Sequence, residues 1–289
     1  MNPDYQKIVE LFGLVPPTLD ETEIDPDDSD FGRDGEESVA LGDRSLIEGK
    51  YAEAEKHFKR ALQQGDASEA APRVGLGALY ELRDEAPAAL RQYRLALESE
   101  RDNPDPYLGL SDIYKRQGRA REGLENLQAA IKLEPRNPFL HQKMAEGLRD
   151  LGFPKKALRA IQQAVIIAPE QPFYHYWMGD LLLAMGRHQD ALDSLRAAIE
   201  LSPGDDFLYA KASAAFWGAG KQAEAVKSIR LASDLNPERR AYYGLLQRFL
   251  IESGSLEEAR LEARRSAEMD HFDLDTLRRL LDDAGFTPS

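Results

Sequence analysis

Few residues in this chain are of types and spacings that could do chemistry. Gly218-Ala219-Gly220-Lys221 is similar to part of a phosphate-binding loop. A working loop needs four residues between its glycines and Ser or Thr after the lysine, on a turn that follows a strand. Here Gln222 follows Lys221, and no strand pattern precedes it. Gly75-Leu76-Gly77 falls in the middle of a helical pattern, so it does not open a dinucleotide fingerprint. His141 and His175 stand 34 residues apart at equivalent places, which raises the question of a metal site. The chain has no cysteine and few carboxylates accompany the two histidines, so a zinc shell built on them would be incomplete. No Gly-x-Ser-x-Gly nucleophile elbow is visible. These residues predict no catalysis, no metal and no cofactor.

The same glycines and histidines belong to a period. Pro135, Pro169, Pro203 and Pro237 are 34 residues apart, as are Ala130, Ala164, Ala198 and Ala232. Gly118, Gly152, Gly186, Gly220 and Gly254 repeat the spacing. A fixed period of this length marks a repeat architecture, in which each unit packs on its neighbours. The units run approximately over 35–68, 70–103, 104–137, 138–171, 172–205, 206–239 and 240–273, each a helix–turn–helix. Unit position 8 is mostly small (Gly42, Gly77, Ser111, Ala145, Gly179, Ser213). Position 20 holds Ala54, Ala89, Gly123, Ala157, Ala191, Ala225 and Ala259, and position 27 is alanine from Ala61 to Ala232. Position 24 is bulky: Phe58, Tyr93, Leu127, Ile161, Leu195 and Ile229. Two antiparallel helices approach closely only where side chains are small, and the bulky residue fills the space beside the crossing. The glycine near position 15 supplies a left-handed residue that ends the first helix. The proline at position 32 stops the second.

Charge is spread unevenly along the 289 residues. Residues 1–37 carry twelve acidic against two basic side chains, so most of the formal charge of −14 lies in this arm. Within it, residues 1–15 predict a short amphipathic helix, with Tyr5, Ile8, Val9, Leu11 and Phe12 largely on one side, ended by Pro16-Pro17. Residues 16–34 predict an acidic flexible linker. Clustered Lys and Arg of the kind that displaces counterions from phosphates are absent, which argues against nucleic acid as a partner. No apolar run reaches the ~20 residues that cross a bilayer, and the first residues lack the basic start and apolar stretch of a secretory signal. The expectation is a cytoplasmic protein without membrane insertion.

The residues at positions 8, 20, 24, 27 and 32 resemble the tetratricopeptide repeat family, over residues 35–273. The resemblance implies an all-α, right-handed superhelical solenoid of about seven units. A C-terminal capping helix and tail (274–289), with Leu274, Leu277, Leu280 and Leu281 on one side, is expected to cover the last unit. There are departures. The family's Trp at position 4 is replaced by Tyr107, His141, His175, Tyr209 and Tyr243, and unit 2 has Asp84 in place of the glycine.

The resemblance also implies that the first helices line a concave face through positions 2, 5, 6, 9, 12 and 13. Units 4–6 then offer a partner-binding groove of Phe139, Gln142, Lys143, Glu146, Arg149, Phe173, Tyr176, Trp177, Asp180, Phe207, Lys211 and Trp217. Phe139, Phe173 and Phe207 could instead pack as core against the preceding unit. The family's clamp for a C-terminal carboxylate needs Lys at position 5 and Asn at 6 and 9. Val39, Ala40 and Asp43, then Val74, Gly75 and Ala78, stand there instead, so the clamp is missing. Residues on the second helices, such as Arg159 and Glu200, read as a solvated face.

The functional expectation is a non-catalytic protein–protein interaction scaffold that holds a partner peptide or helix in the groove of units 4–6. The N-terminal segment could act as a tethered competitor, and that segment or the terminal units could mediate an oligomer. The alternative is a docking subunit for a separate catalytic chain, such as a glycosyltransferase, a protease or a secretion or biogenesis complex.

Overall fold

The computed structural model describes residues 34–65, 68–267 and 274–286. The helix expected within 1–15, and the linker expected over 16–34 apart from Asp34, lie outside the described residues. Fifteen α-helices and no strand occur among those described. In chain order they are α1 (Asp34–Ile47), α2 (Tyr51–Gln64), α3 (Ala70–Leu82), α4 (Ala86–Ser99), α5 (Asp105–Arg116), α6 (Ala120–Leu133), α7 (Pro138–Asp150) and α8 (Pro154–Ile167). The rest are α9 (Pro172–Ala184), α10 (His188–Leu201), α11 (Asp206–Gly218), α12 (Gln222–Leu235), α13 (Arg240–Glu252), α14 (Leu256–Ala267) and α15 (Leu274–Asp283).

The chain divides into two compact bodies, one up to Pro135 and one from Arg136. In the first, α1 packs with α2, α3 with α4 and α5 with α6 as helical hairpins. The second continues with α7 on α8, α9 on α10, α11 on α12 and α13 on α14. Within each body a second helix also meets the first helix of the next hairpin, as α2 meets α3 and α8 meets α9. The all-α repeat predicted from the sequence is what the chain forms.

The hairpin crossings follow the small–large pattern. Ala54, Ala89, Ala157, Ala191 and Ala225 are wholly buried, as are Phe58, Tyr93, Ile161, Leu195 and Ile229. A Cβ placed on Gly42 would lie 2.5 Å from the Phe58 ring, and one on Gly77 would lie 2.5 Å from the Tyr93 ring. The same two rings also press on the next hairpin, at Gly75 and Gly109 respectively. Where position 24 is Ile161 or Leu195, the following hairpin no longer needs glycine at position 6, and Trp177 and Lys211 stand there.

The turns between paired helices need a left-handed residue. Gly118, Gly152, Gly186, Gly220 and Gly254 all have φ between 74° and 79° except Gly186 at 69°. Asp84, the departure in unit 2, adopts φ 58° at the equivalent place. Aspartate is among the few L residues that tolerate this region. Pro138 and Pro172 begin α7 and α9, where the missing N–H costs nothing. The Asn137 and Asp205 side chains cap α7 and α11 by accepting from the backbone N–H of Phe139 and Phe207 at 3.0 Å.

Position 4 ties one unit to the one before it. The Tyr107 hydroxyl donates to the Arg101 carbonyl at 3.3 Å, and Tyr209 donates to the Pro203 carbonyl at 3.1 Å. His175 Nε2 lies 2.7 Å from the Pro169 carbonyl and is engaged in the same way. Its recurrence therefore has a structural cause.

Gly75→Ala and Gly109→Ala should each destabilise the protein by about 1–3 kcal/mol, because each new methyl group meets an immobile ring. Gly204→Ala, with open space around it, is the control and should change little. Urea midpoints check this, and a Gly109→Ala midpoint equal to wild type would refute the packing account.

Candidate functional site

α7, α9 and α11 are the first helices of three successive hairpins of the second body. Their sequences explain why something remains to be used there. PFYHYWMGDLLLA in α9 and DFLYAKASAAFWG in α11 are apolar around most of the helix circumference. A helix of that kind has more apolar surface than one hairpin partner can cover. Leu181, Leu182 and Leu183 of α9 are buried in the hairpin core, whereas Phe173 remains 49% exposed.

Seven of the residues expected in the groove form one continuous cluster. The Arg149 guanidinium lies 4.5 Å from the centre of the Trp177 ring, and Phe173 meets Trp177 edge-on at 6.4 Å. Arg149 Nη1 is 3.5 Å from Asp180 Oδ2. Asp180 Oδ1 accepts from Lys211 Nζ at 2.6 Å. Lys211 Nζ also lies 5.5 Å from the Phe207 ring, and Phe207 packs against Tyr176 at 5.8 Å. Burial, aided by the Asp180 charge, pushes the Tyr176 hydroxyl up to about 12, so it is a neutral donor at physiological pH. Aromatic faces under guanidinium and ammonium groups are attractive surfaces for further aromatic or acidic side chains.

On α7, Lys143 Nζ sits 5.7 Å above the Phe139 ring, Glu146 is half-buried, and Gln142 is only 4% exposed. Gln142 thus contributes to packing more than to an open face. Lys211 is likewise 4% exposed. Trp217 is separate from the cluster. It stacks on Phe249 of α13 at 4.4 Å with the rings 5° from parallel, and Phe286 lies 5.4 Å from it.

Sequence reasoning did not anticipate where α15 goes. It packs on α11 and α13, the first helices of their hairpins, rather than being confined to the end of the last unit. Leu280 is fully buried there, and Leu277 fills the space beside Gly244. The Asp283 carboxylate accepts from Lys211 Nζ at 2.6 Å, so one ammonium serves Asp180 and Asp283 together. Burial works against the Lys211 charge, but the two carboxylates outweigh it and hold its pKa above the usual lysine value. Only the amphipathic spacing of the leucines hinted at this helix. Its acceptor side has no local signal.

The first body has an inner cavity of about 190 Å³, lined by Val39, Asp43, Leu46, Val74, Ala78 and Asp105 among others. It lies at the unit positions where the carboxylate clamp would be and carries the opposite charge. Burial raises the Asp43 carboxyl to about 6. Among the described residues no group of three or more His, Asp or Glu is arranged to hold a metal ion, and no helix is long and apolar enough to cross a membrane.

Two family models, both described as tetratricopeptide repeat, match the chain over residues 104–137 and 143–206. None of the curated proteins gives a significant match. Among solved structures, MamA of Desulfovibrio magneticus RS-1 (residue 41 to its end) is 22% identical, with a TM-score of 0.54, over 57% of this chain and 94% of that one. YrrB, described as having an unusual peptide-binding site, is 23% identical with a TM-score of 0.52, over 62% and 92%. The pilF protein of Pseudomonas aeruginosa is 18% identical with a TM-score of 0.61, over 72% and 94%. At these identities the likeness is one of fold.

The Asp43 carboxyl gives a pH signature. Its folded pKa is raised from 3.8 to about 6, so the neutral form contributes stability fully below about pH 4, and this is lost as pH rises through about 6. Asp43→Asn should match wild type near pH 4 and be more stable by about 1–3 kcal/mol at pH 7.5. Urea titrations at the two pH values test it, and equal differences at both would show that Asp43 is well solvated.

Proposed function

We propose that this chain, which belongs to the tetratricopeptide repeat family, is a non-catalytic interaction scaffold that binds a peptide or helix of a partner protein on the inner side of α7, α9 and α11. Arrays of this family are in general protein-interaction modules, and YrrB is described as binding peptide. The observation that carries the reading is the Phe173–Trp177–Arg149 cluster. It combines a half-exposed phenylalanine with a tryptophan and an arginine, the residue types that dominate binding hot spots. In the same proposal the N-terminal segment within 1–15, joined through residues 16–34 to the first hairpin, is a competitor for the partner, its effective concentration raised by being on the same chain.

Affinity purification followed by mass spectrometry tests the assignment. The double variant Phe173→Ala, Trp177→Ala should lose the specific partners by about tenfold or more, corresponding to ~1.4 kcal/mol or greater. Arg159→Glu, exposed on α8, should retain them. An unchanged partner set in the double variant would remove the binding site from this face.

A further inference from the structure

α15 has ten residues, too short to be stable as an isolated helix in water. Its form therefore comes from the surface that receives it. That surface is the inner side of α11 and α13, continuous with the cluster around Trp177 through the shared carboxylate of Asp180. The fit has three parts. Leu277 and Leu280 enter beside Gly244 and the α11–α13 core. Asp283 reaches the buried Lys211 ammonium. Gly285 then takes φ 81°, and the Phe286 N–H bonds the Leu281 carbonyl at 2.9 Å. This left-handed helix end turns Phe286 back onto Trp217 and Phe249, beneath the Arg248 guanidinium.

Leucines three residues apart, an acidic side chain one turn on, and an aromatic just past a glycine turn are the reading code of a groove that takes a helix. We infer that the inner side of α11 and α13 is a helix-binding site with α15 as its resident occupant, and that the partner segment it takes in exchange is a short acidic helix carrying the same leucine–aspartate–aromatic pattern. The inference rests on the reading that the inner face receives partner segments, and it names their chemistry. Two features make exchange physically reasonable. The ionic contact joins Asp283 to Lys211, so a competitor with a carboxylate at the same place replaces it without leaving Lys211 short of a partner. The resident helix gains its advantage from being on the same chain, which lowers the affinity of a competitor without abolishing it.

The full-length chain and a fluorescein-labelled peptide copying residues 272–289 provide the test, read by fluorescence anisotropy. Asp283→Lys in the chain sets a like charge against Lys211 and should release α15. The released chain should bind the wild-type peptide at least tenfold more tightly than the unmodified chain does. It should also prefer the wild-type peptide at least tenfold over one carrying Asp283→Lys. Phe286→Ala in the chain, which leaves the ion pair in place, is the second variant should the first no longer unfold cooperatively on heating, and it should raise peptide affinity in the same direction. Equal peptide binding by modified and unmodified chains, or no discrimination between the two peptides, overturns the inference. The outcome is independent of the Phe173 and Trp177 purification. Peptide exchange without loss of partners there would fault only the placement of the partner on α7 and α9, and the converse would fault only the helix chemistry.

Discussion

The structure depends on one steric exchange: each second helix brings a bulky side chain to the hairpin crossing, and the helices facing it must yield space. In the first hairpins the bulky residue is an aromatic ring, and glycine is required on both sides, at Gly42 and Gly75 around Phe58 and at Gly77 and Gly109 around Tyr93. Further along, Ile161 and Leu195 are smaller, and the demand on the next hairpin is relaxed. Position 6 is then released from packing. Trp177 and Lys211 occupy it, and both belong to the inner cluster. The choice of core residue on one helix therefore decides whether the next helix can carry a large or charged side chain at that position.

Lys211 shows the cost of using that freedom. A buried ammonium is heavily penalised unless its charge is met, and the penalty for an unmatched partner exceeds the gain from the pair. Here the ammonium is met twice, by Asp180 from the neighbouring first helix and by Asp283 from α15. Arg149 lies near Asp180 as well, so that carboxylate does not depend on Lys211 alone. The network is weak as a source of net stability but strong as a specifier of register. Sliding α15 by one residue would pull Asp283 away from the Lys211 ammonium and move Leu280 out of its buried seat.

The period made the fold legible because it records contacts between sequence neighbours. Each unit meets the same surroundings, so the same types recur, and even the exceptions make sense: Asp84 takes the left-handed turn that glycine takes elsewhere. His141 and His175 read as packing positions, and the bond from His175 to Pro169 is the physical form of that reading for one of them. Of the expected groove residues, Phe173, Trp177, Arg149 and Asp180 come together at one place, but burial of Gln142 and Lys211 could not be seen from spacing alone. The docking of α15 had no periodic signature. It joins residues far apart in sequence, such as Lys211 and Asp283, through contacts made once in the molecule. The cavity around Asp43 escaped for a related reason: unit positions 5, 6 and 9 tell which residues face inward, not whether their small side chains leave a void.

Inner-face residues thus fall into two energetic kinds. Phe173 is half-exposed and Trp177 incompletely covered, so their contribution to folding is partial. Lys211 and Trp217 have already been given partners by the chain itself. Under the proposed reading, binding at the first kind would add contacts to a finished structure. At the second kind it must substitute for contacts already made, so affinity and stability are coupled there, and a ligand is favoured only insofar as its chemistry reproduces what α15 supplies. Under the proposed reading the face would hold an open patch beside a closed one, and the residue that joins them is Asp180, whose two oxygens contact Arg149 on one side and Lys211 on the other.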